Sequence, residues 1–216
     1  ASRGSLGSTL TLVSNNPPGS LSESSPRIPV DVRRFPWIRR LAADYAYDFG
    51  SVAPFFTGDP ANRADWVAAV ARTQAHPRRR TEIASIVVAQ QQRRQAPARA
   101  RDAAVRLADT KTVAIVTGQQ AGLFGGPLFT LLKALTALKL AGEVSRQHGV
   151  PAVAIFWVEA EDHDWDEVRS CTLFDAQLEP RTVSLPAHPT AGDPFPIAQV
   201  VIDASIQSVI EELSGI

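Results

Sequence analysis

The first half of the chain carries apolar residues at helical spacing. After Pro36, the side chains of Trp37, Ile38, Leu41 and Tyr45 fall on one face of a helix, as in an amphipathic helix of a folded protein. Turn residues then precede a second helical pattern, and a stretch rich in Arg, Ala and Gln follows it. We therefore predict helices over residues 37–45 and 61–75, and one or two exposed helices over residues 76–109.

The pattern changes at Thr112 to short, continuous apolar runs. Val113–Val116 is rich in β-branched residues, the helical period returns from Leu128 to about Gln147, and Val150–Val158 is a second apolar run. Short runs of this kind are typical of strands buried on both faces. A strand, a helix and a strand in this order predict two parallel strands joined by a right-handed crossover. The glycine-bearing segment 117–126 is the predicted loop between the first strand and the helix.

The remaining segments complete a predicted α/β architecture. Residues 1–26 have too little apolar surface to become ordered, and we predict a disordered tail there. We predict an N-terminal helical segment over residues 27–110. Residues 111–216 are the predicted Rossmann-like core, which is incomplete and contains a parallel sheet. Within the core we predict an antiparallel pair from 172–174 and 182–185, and a helix from 200–213. Two parallel strands and one hairpin do not cover a sheet on both faces, so we interpret the chain as the front portion of a larger protein.

Composition and charge exclude several classes of partner. Hydrophobic residues make up 44% of the chain, and 22 basic residues balance 22 acidic ones. A zero net charge supplies no global field that would attract nucleic acid or an anionic membrane. The basic run Arg78–Arg80 has no interleaved aromatics and is typical of a solvated helix surface. We therefore expect neither nucleic acid nor a membrane as a partner.

Cysteine use and the absence of a targeting pattern indicate the compartment. Cys171 is the only cysteine, so an intramolecular disulfide is impossible, and nothing favours an oxidising environment. The start of the chain lacks a signal-peptide pattern, and no apolar run reaches the roughly 18 residues of a membrane span. We expect a cytoplasmic protein.

Two polar clusters follow the two predicted strands, at the edge where open parallel sheets bind ligands. The first contains Gly118, Gln119, Gln120, Gly125 and Gly126, just before the predicted helix. The free N–H groups of a helix N-terminus favour an anion, glycines permit positive φ, and amide side chains both donate and accept. The cluster lacks the Lys-Ser/Thr pair of a Walker A motif and is not GxGxxG. It predicts a ligand site, but leaves the ligand open.

The second cluster, Glu161-Asp162-His163-Asp164, comes shortly after Trp157 in the second strand. An imidazole between carboxylates supplies the groups that general acid–base catalysis requires. We assign catalytic roles to His163, Asp162 and Asp164, and substrate binding to Trp157, Glu161 and the first cluster. Two alternatives remain open: Asp162 or Asp164 caps a helix, or the cluster binds a metal, although it lacks the i, i+4 spacing of helical zinc ligands. We predict that both clusters face one shared cleft.

The order and spacing of these motifs resemble one known family. Five segments are similar to the BshC family of cysteine-adding enzymes in bacillithiol biosynthesis. They are Ala43–Phe49, Val116–Thr130, Lys133–Ala141, Phe156-Trp157 and Glu161–Asp164. The similarity extends from about Pro29 to Leu185. It implies a Rossmann-like core in a protein more than twice this length, with a long C-terminal coiled coil through which a homodimer would form.

The resemblance also implies a reaction. Family members are expected to join L-cysteine to glucosaminyl-malate through an amide bond, which completes bacillithiol. The site residues would then be those of the two clusters, with no metal. The cofactor is unknown, with ATP or another nucleotide as the candidate, although the sequence has no recognised nucleotide motif. Two other classes remain: a non-catalytic ligand-binding core, and a metal-assisted hydrolase that uses Asp162, His163 and Asp164.

Deleting residues 1–25 should leave the folding of the remainder unchanged, because this segment holds almost no apolar periodicity and gains little from burial. Hydrogen exchange of the intact chain checks this prediction, since the backbone amides of residues 1–25 should exchange at unprotected rates. Strong protection there would show that the segment is part of the folded structure.

Overall fold

The computed structural model of the chain describes residues 30–186 and 196–216. The predicted tail over residues 1–26 and the segment around His188 lie outside the described residues. The helices are α1 Arg40–Tyr47, α2 Phe49–Val52, α3 Arg63–Ala75, α4 Arg80–Arg93, α5 Ala98–Arg106, α6 Leu128–His148, α7 Trp165–Val168 and α8 Ser205–Ser214. The strands are β1 Val113–Gln120, β2 Ala152–Glu159, β3 Ser170–Phe174 and β4 Pro180–Ser184. Among the described residues, no helix has the length and apolar character that crossing a membrane requires.

The chain divides into two compact units after Ala75. The first contains α1 to α3, where the helices predicted over residues 37–45 and 61–75 are confirmed with small shifts. An aromatic group holds its short helices together: the ring of Tyr45 lies 5.7 Å from that of Phe49 and 4.7 Å from that of Phe56. Helix α1 begins only at Arg40 because the residues before it form a turn, in which the N–H of Ile38 donates to the carbonyl of Phe35.

The second unit is built around β1, α6 and β2. The two strands are parallel and pair in register from Val113–Ala152 to Gln120–Glu159, so the predicted parallel pairing of two strands joined by a helix is confirmed. Helix α6 ends where Gly149 adopts a left-handed conformation, with φ 65°, which glycine enters without a steric penalty. The small residues Ala137 and Ala141 lie on its buried face and allow the helix to approach the strands closely.

Helices α4 and α5 cover the opposite face of the strand pair. Ala84 of α4 and Leu107, just after α5, pack with Val153 of β2. Residue 156 points to the other face, since side chains alternate along a strand, and Phe156 lines a cavity with residues of α6. The predicted burial of both strands on both faces is wrong at Val116 in β1, which is 62% exposed, and at Trp157 near the end of β2, which is 63% exposed. The last residues of β1 are half-buried, while Trp157 and Val158 of β2 are open.

The predicted hairpin and final helix form a separate layer beside the strand pair. Strands β3 and β4 are antiparallel, with Cys171 opposite Val183. These two side chains are buried with Leu123, Leu185 and, from α8, Val209. The thiol of Cys171 is therefore a small packed side chain in an apolar cluster, as its position in a strand predicts.

Val183→Ala should lower the free energy of unfolding by about 2 kcal/mol, because the side chain is fully buried and its removal leaves a cavity. Val201→Ala is the matched control, since Val201 is 89% exposed and the same truncation there should cost little. Urea unfolding of the two variants and the parent chain measures the difference. Equal effects at the two positions would contradict the packing described here.

Candidate functional site

The candidate site lies at the carboxyl ends of β1 and β2. Strand β1 continues through Gln120, so the prediction that the loop begins at residue 117 is wrong by four residues. The reason is tertiary: the pairing with β2 extends to Gln120–Glu159, and the N–H of Ala121 still donates to the carbonyl of Glu159 at 3.0 Å. Gln119 and Gln120 are therefore held on a strand rather than on a loop.

Gly118 occupies a position where β1 and β2 approach too closely for a side chain. It pairs with Trp157, and a Cβ added to Gly118 would lie 2.6 Å from the carbonyl oxygen of Trp157. This contact gives the glycine a packing role, and its carbonyl oxygen remains available as an acceptor. The indole of Trp157 is largely exposed and its Nε1 lies 3.4 Å from a carboxylate oxygen of Glu159.

Four hydrogen-bonded side chains, the polar chain, cross the end of β1: Lys133, Gln119, Gln120 and Glu167. Lys133 of α6 donates from Nζ to Gln119 Oε1 at 2.9 Å and to the Gly118 carbonyl at 3.2 Å. Gln119 Nε2 donates to Gln120 Oε1 through a short hydrogen bond. Gln120 Nε2 in turn points to Glu167 Oε2 at 3.5 Å. This hydrogen-bonded chain joins α6, β1 and α7. Gln120 also forms a hydrogen bond with Asp162, so the two predicted clusters contact each other at this edge through that pair.

The acidic loop after β2 uses its carboxylates mainly to organise its own backbone. Asp162 Oδ1 accepts from the N–H of His163 at 2.6 Å and from that of Asp164 at 3.3 Å. Asp164 Oδ1 accepts from the N–H of Glu167 at 3.0 Å and is the N-cap of α7, so the capping alternative is confirmed for Asp164. The N–H of Glu161 donates to Glu159 Oε1 at 2.9 Å. These bonds fix the shape of the loop.

Two main-chain contacts from a distant segment hold the same loop in place. The N–H of Ile197 donates to the carbonyl of Asp162 at 2.9 Å, and the N–H of Ala198 donates to that of Ala160 at 2.8 Å. The loop is thus fixed at its backbone from outside as well as by its own carboxylates.

His163 is exposed, and its imidazole makes no hydrogen bond within residues 30–186 and 196–216. Neither Asp162 nor Asp164 forms a hydrogen bond with the ring, and Oδ1 of each accepts from backbone N–H groups instead. The hydrogen bond from the N–H of His163 is the main reason that the pKa of Asp162 lies below its ordinary value. The amide of Gln120 and the N–H of Asp164 lower this pKa further. A carboxylate that stays ionised therefore lies beside an unrestrained imidazole.

The glycine loop lies next to an apolar cavity rather than inside the acidic cluster. Gly125 and Gly126 have φ values of 95° and 74°, and a Cβ added to Gly122 would lie 2.8 Å from the Cα of Gly126. With Thr130 of α6 and Phe156 of β2, the last two glycines line a cavity of about 580 Å³. The hydroxyl of Thr130 is buried there without a hydrogen-bond partner among the described residues.

The structure thus separates the sequence-predicted residues into two groups at one edge of the sheet. Gln119, Gln120 and Asp162 belong to the polar chain, while Gly125 and Gly126 line the neighbouring cavity. Two further contributors, Lys133 and Glu167, are not among the site residues assigned from the sequence. The sequence offers Lys133 only as a surface lysine within the family motif Lys133–Ala141. The contacts of Lys133 and Glu167 with the glutamines depend on the packing of α6 and α7. Within the described residues, no three His, Cys, Asp or Glu side chains are arranged to bind a metal ion.

Known proteins similar to this chain carry one family name. Residues 28–216 match the family described as "Bacillithiol biosynthesis BshC, N-terminal Rossmann-like domain". A protein of Salinibacter ruber is 37% identical over 178 residues, which is 80% of this chain and 31% of the relative. One of Solibacter usitatus is 40% identical over 146 residues, 68% of this chain and 26% of the relative. Both are named "Putative cysteine ligase BshC". The chain spans about a quarter to a third of the length of these relatives.

Gln120→Leu should raise the pKa of Asp162 toward its ordinary value, because the variant removes one of the hydrogen bonds that favour the carboxylate. A depressed folded-state pKa means that the contribution of Asp162 to stability is present above its unfolded pKa and is lost as the pH falls through the folded value. Carboxyl ¹³C NMR during an acid titration measures the shift. Gln177→Leu, in the β3–β4 turn, is the control and should leave the Asp162 titration unchanged. An unaltered Asp162 pKa in Gln120→Leu would contradict the contact.

Proposed function

The chain belongs to the BshC family of bacillithiol biosynthesis, and we propose that in the whole protein it carries the site that joins L-cysteine to glucosaminyl-malate. The match to the Rossmann-like domain of the family over residues 28–216 supports the pathway. The location of the site is supported by one observation: the polar chain from Lys133 through Gln119 and Gln120 to Glu167 lies at the carboxyl ends of two parallel strands. Ligands of open parallel sheets bind at this edge.

The proposed reaction is the formation of an amide bond. The lone pair of the glucosamine amine attacks the activated carbonyl carbon of cysteine, a C–N bond forms, and the group that activated the carboxyl leaves with its bonding electrons. The amine reacts only after its ammonium form has lost a proton, so a general base is required. We assign this role to His163, because imidazole is the side chain that most often acts as a general base. Its lack of a hydrogen bond among the described residues leaves it available to a substrate proton.

Asp162 supports this assignment through its charge. Its pKa is lowered by hydrogen bonds to the backbone and to Gln120, so the carboxylate remains ionised when His163 takes up a proton. A fixed negative charge nearby stabilises the imidazolium form. Asp164 contributes through position, because it caps α7 and fixes the loop that carries His163.

Substrate binding would use both groups at the sheet edge. The amides of Gln119 and Gln120 can donate to and accept from hydroxyl groups of the sugar. The loop ending at Gly125 and Gly126 precedes the N-terminus of α6, where free N–H groups favour the carboxylate of malate or a phosphate. The exposed side chains of Trp157 and Glu161 would line the entrance to the substrate site at the sheet edge.

Activation of the cysteine carboxyl calls for a co-substrate of the nucleoside triphosphate class, such as ATP. Residues at the glycine loop fit such a group: at Gly125 no heavy atom lies within 4 Å of the place a Cβ would take, and the adjoining helix end favours phosphate. When bound, the nucleotide would supply a good leaving group for the carboxyl. The first N–H groups of α6 would hold its phosphates, and the open space at Gly125 would allow a close approach.

The proposal places the reaction in the cytoplasm, where a free thiol substrate stays reduced. A homodimer through the coiled coil of the longer family members is part of the same proposal. The alternative of a metal-assisted hydrolase is not favoured, because one oxygen each of Asp162 and Asp164 accepts from backbone N–H groups. Within the described part of the chain, no three His, Cys, Asp or Glu side chains are arranged to bind a metal ion.

His163→Asn in the whole protein should lower the rate of bacillithiol formation by about 10²-fold or more, the usual loss on removing an acid–base group. The fold should change little, since the side chain is exposed. His148→Asn, at the end of α6, is the matched control and should retain the parent rate. Thiol-labelling assays of bacillithiol with purified protein measure both. A folded His163→Asn variant that forms bacillithiol at the normal rate would remove His163 from the mechanism.

A further inference from the structure

Lys133 makes contacts that an ordinary surface lysine does not make. It lies in the second turn of α6, and its Nζ reaches across to the end of β1, where it donates to the Gly118 carbonyl and to Gln119 Oε1. The same ammonium lies 5.2 Å from the ring centroid of Phe129, a favourable distance for a cation above an aromatic face. Three contacts on one exposed side chain hold the ammonium at a defined place beside the glutamines.

The hydrogen-bonded side chains from Lys133 to Glu167 can be arranged in only one donor-to-acceptor direction. An ammonium group donates and never accepts, a carboxylate accepts and never donates, and a side-chain amide has one end of each kind. With Lys133 at one end, Gln119 must turn its oxygen toward the ammonium and its NH₂ toward Gln120. Gln120 must then direct its NH₂ toward Glu167 and Asp162. A flip of either amide would set donor against donor at the lysine or acceptor against acceptor at the carboxylates.

We propose that Lys133 is a positioning residue that fixes the orientation of the Gln119 and Gln120 side-chain amides, and with it the hydrogen-bonding groups that the end of β1 offers to a substrate. The orientation of the amides follows from the contacts alone, whereas the role in substrate placement rests on the proposed function. The residue acts through the glutamines, and no contact with reacting atoms is required of it.

The fixed direction also defines the class of group that the amides can bind. Among the described residues, the hydrogen-bonded chain leaves unused one N–H of Gln119 and one lone pair on each of Gln119 Oε1 and Gln120 Oε1. The free N–H of Gln119 and the free lone pair of Gln120 Oε1 are a donor and an acceptor on adjacent residues. A hydroxyl group, which donates and accepts at the same oxygen, satisfies both. A carboxylate satisfies only the donor, so the pair favours a hydroxyl-bearing substrate over an anionic one at this point.

Packing does not require the lysine. The buried face of α6 consists of Ala137, Ala141 and Val144, and Lys133 is exposed. Lys133→Met keeps the length of the side chain and removes the donor, whereas Lys133→Arg keeps a group that only donates. Lys139→Met changes another exposed lysine of the same helix that makes no contact with the glutamines. These three variants separate amide orientation from helix stability.

The first measurement does not depend on activity. In the chain labelled with ¹⁵N at glutamine side chains, the signals of Gln119 and Gln120 are identified by their loss in Gln→Leu variants. We expect shifted, slowly exchanging NH₂ signals in the parent chain, in Lys133→Arg and in Lys139→Met. In Lys133→Met we expect both pairs to move to free-amide positions and to exchange at least about threefold faster, as expected when a constraining hydrogen bond is lost. Unchanged Gln119 and Gln120 signals in a folded Lys133→Met variant would overturn the proposal.

The second measurement tests the link to substrate with the whole protein. Lys133→Met should raise the KM for the amine substrate by about 10-fold or more, the equivalent of one hydrogen bond to the substrate, with a smaller change in kcat. Lys133→Arg should restore most of the affinity, and Lys139→Met should match the parent. If the amide signals change and KM does not, the role in substrate placement is overturned. If the parent protein forms no bacillithiol, the proposed function fails, and the amide signals still decide the role of Lys133.

Discussion

The parallel pairing of β1 with β2 is the interaction on which the site depends. Eight residue pairs in register carry the ends of both strands to the same edge and place Gln120 opposite Glu159. A slip by one residue would turn the side chains of a strand to the opposite face. It would also separate the glutamines from the acidic loop. Gly118 is compatible with this register because it has no side chain. A Cβ at this position would collide with the backbone of Trp157 on β2.

The charge of the side chains at the strand ends changes from positive to negative from one element to the next. A cation on α6 lies on one side, two neutral amides lie on β1, and carboxylates lie in the segment after β2. Asp162 and Asp164 also accept hydrogen bonds from the backbone of their own loop, and these bonds lower the pKa of Asp162. His163 is the titratable group that this arrangement leaves unrestrained. The same loop is therefore held at its backbone by hydrogen bonds and still carries an exposed imidazole.

The helix between the two strands has a second apolar face that the described residues leave open. Leu131, Leu135 and Leu138 are each more than half exposed, on the side away from the buried alanines. Val116 within β1 and Trp157 near the end of β2 are similarly uncovered. Relatives of this chain are three to four times longer than the part it matches, and catalysis is therefore proposed for the whole protein. The geometry of the strand ends is already formed within the matched part.

The sequence by itself determined the order and type of the elements. Apolar runs at Val113–Val116 and Val150–Val158 with a helical period between them predicted the parallel crossover, and the glycine and acidic clusters after each run predicted the functional edge. These signals are local, since they depend on the period of side chains along a strand or helix. Only the tertiary structure decided that β1 continues through Gln120, that the carboxylates of Asp162 and Asp164 bind backbone, and that Lys133 orients the glutamines. Those outcomes depend on contacts between residues far apart in the chain, where the closeness of one element to another sets which donor meets which acceptor.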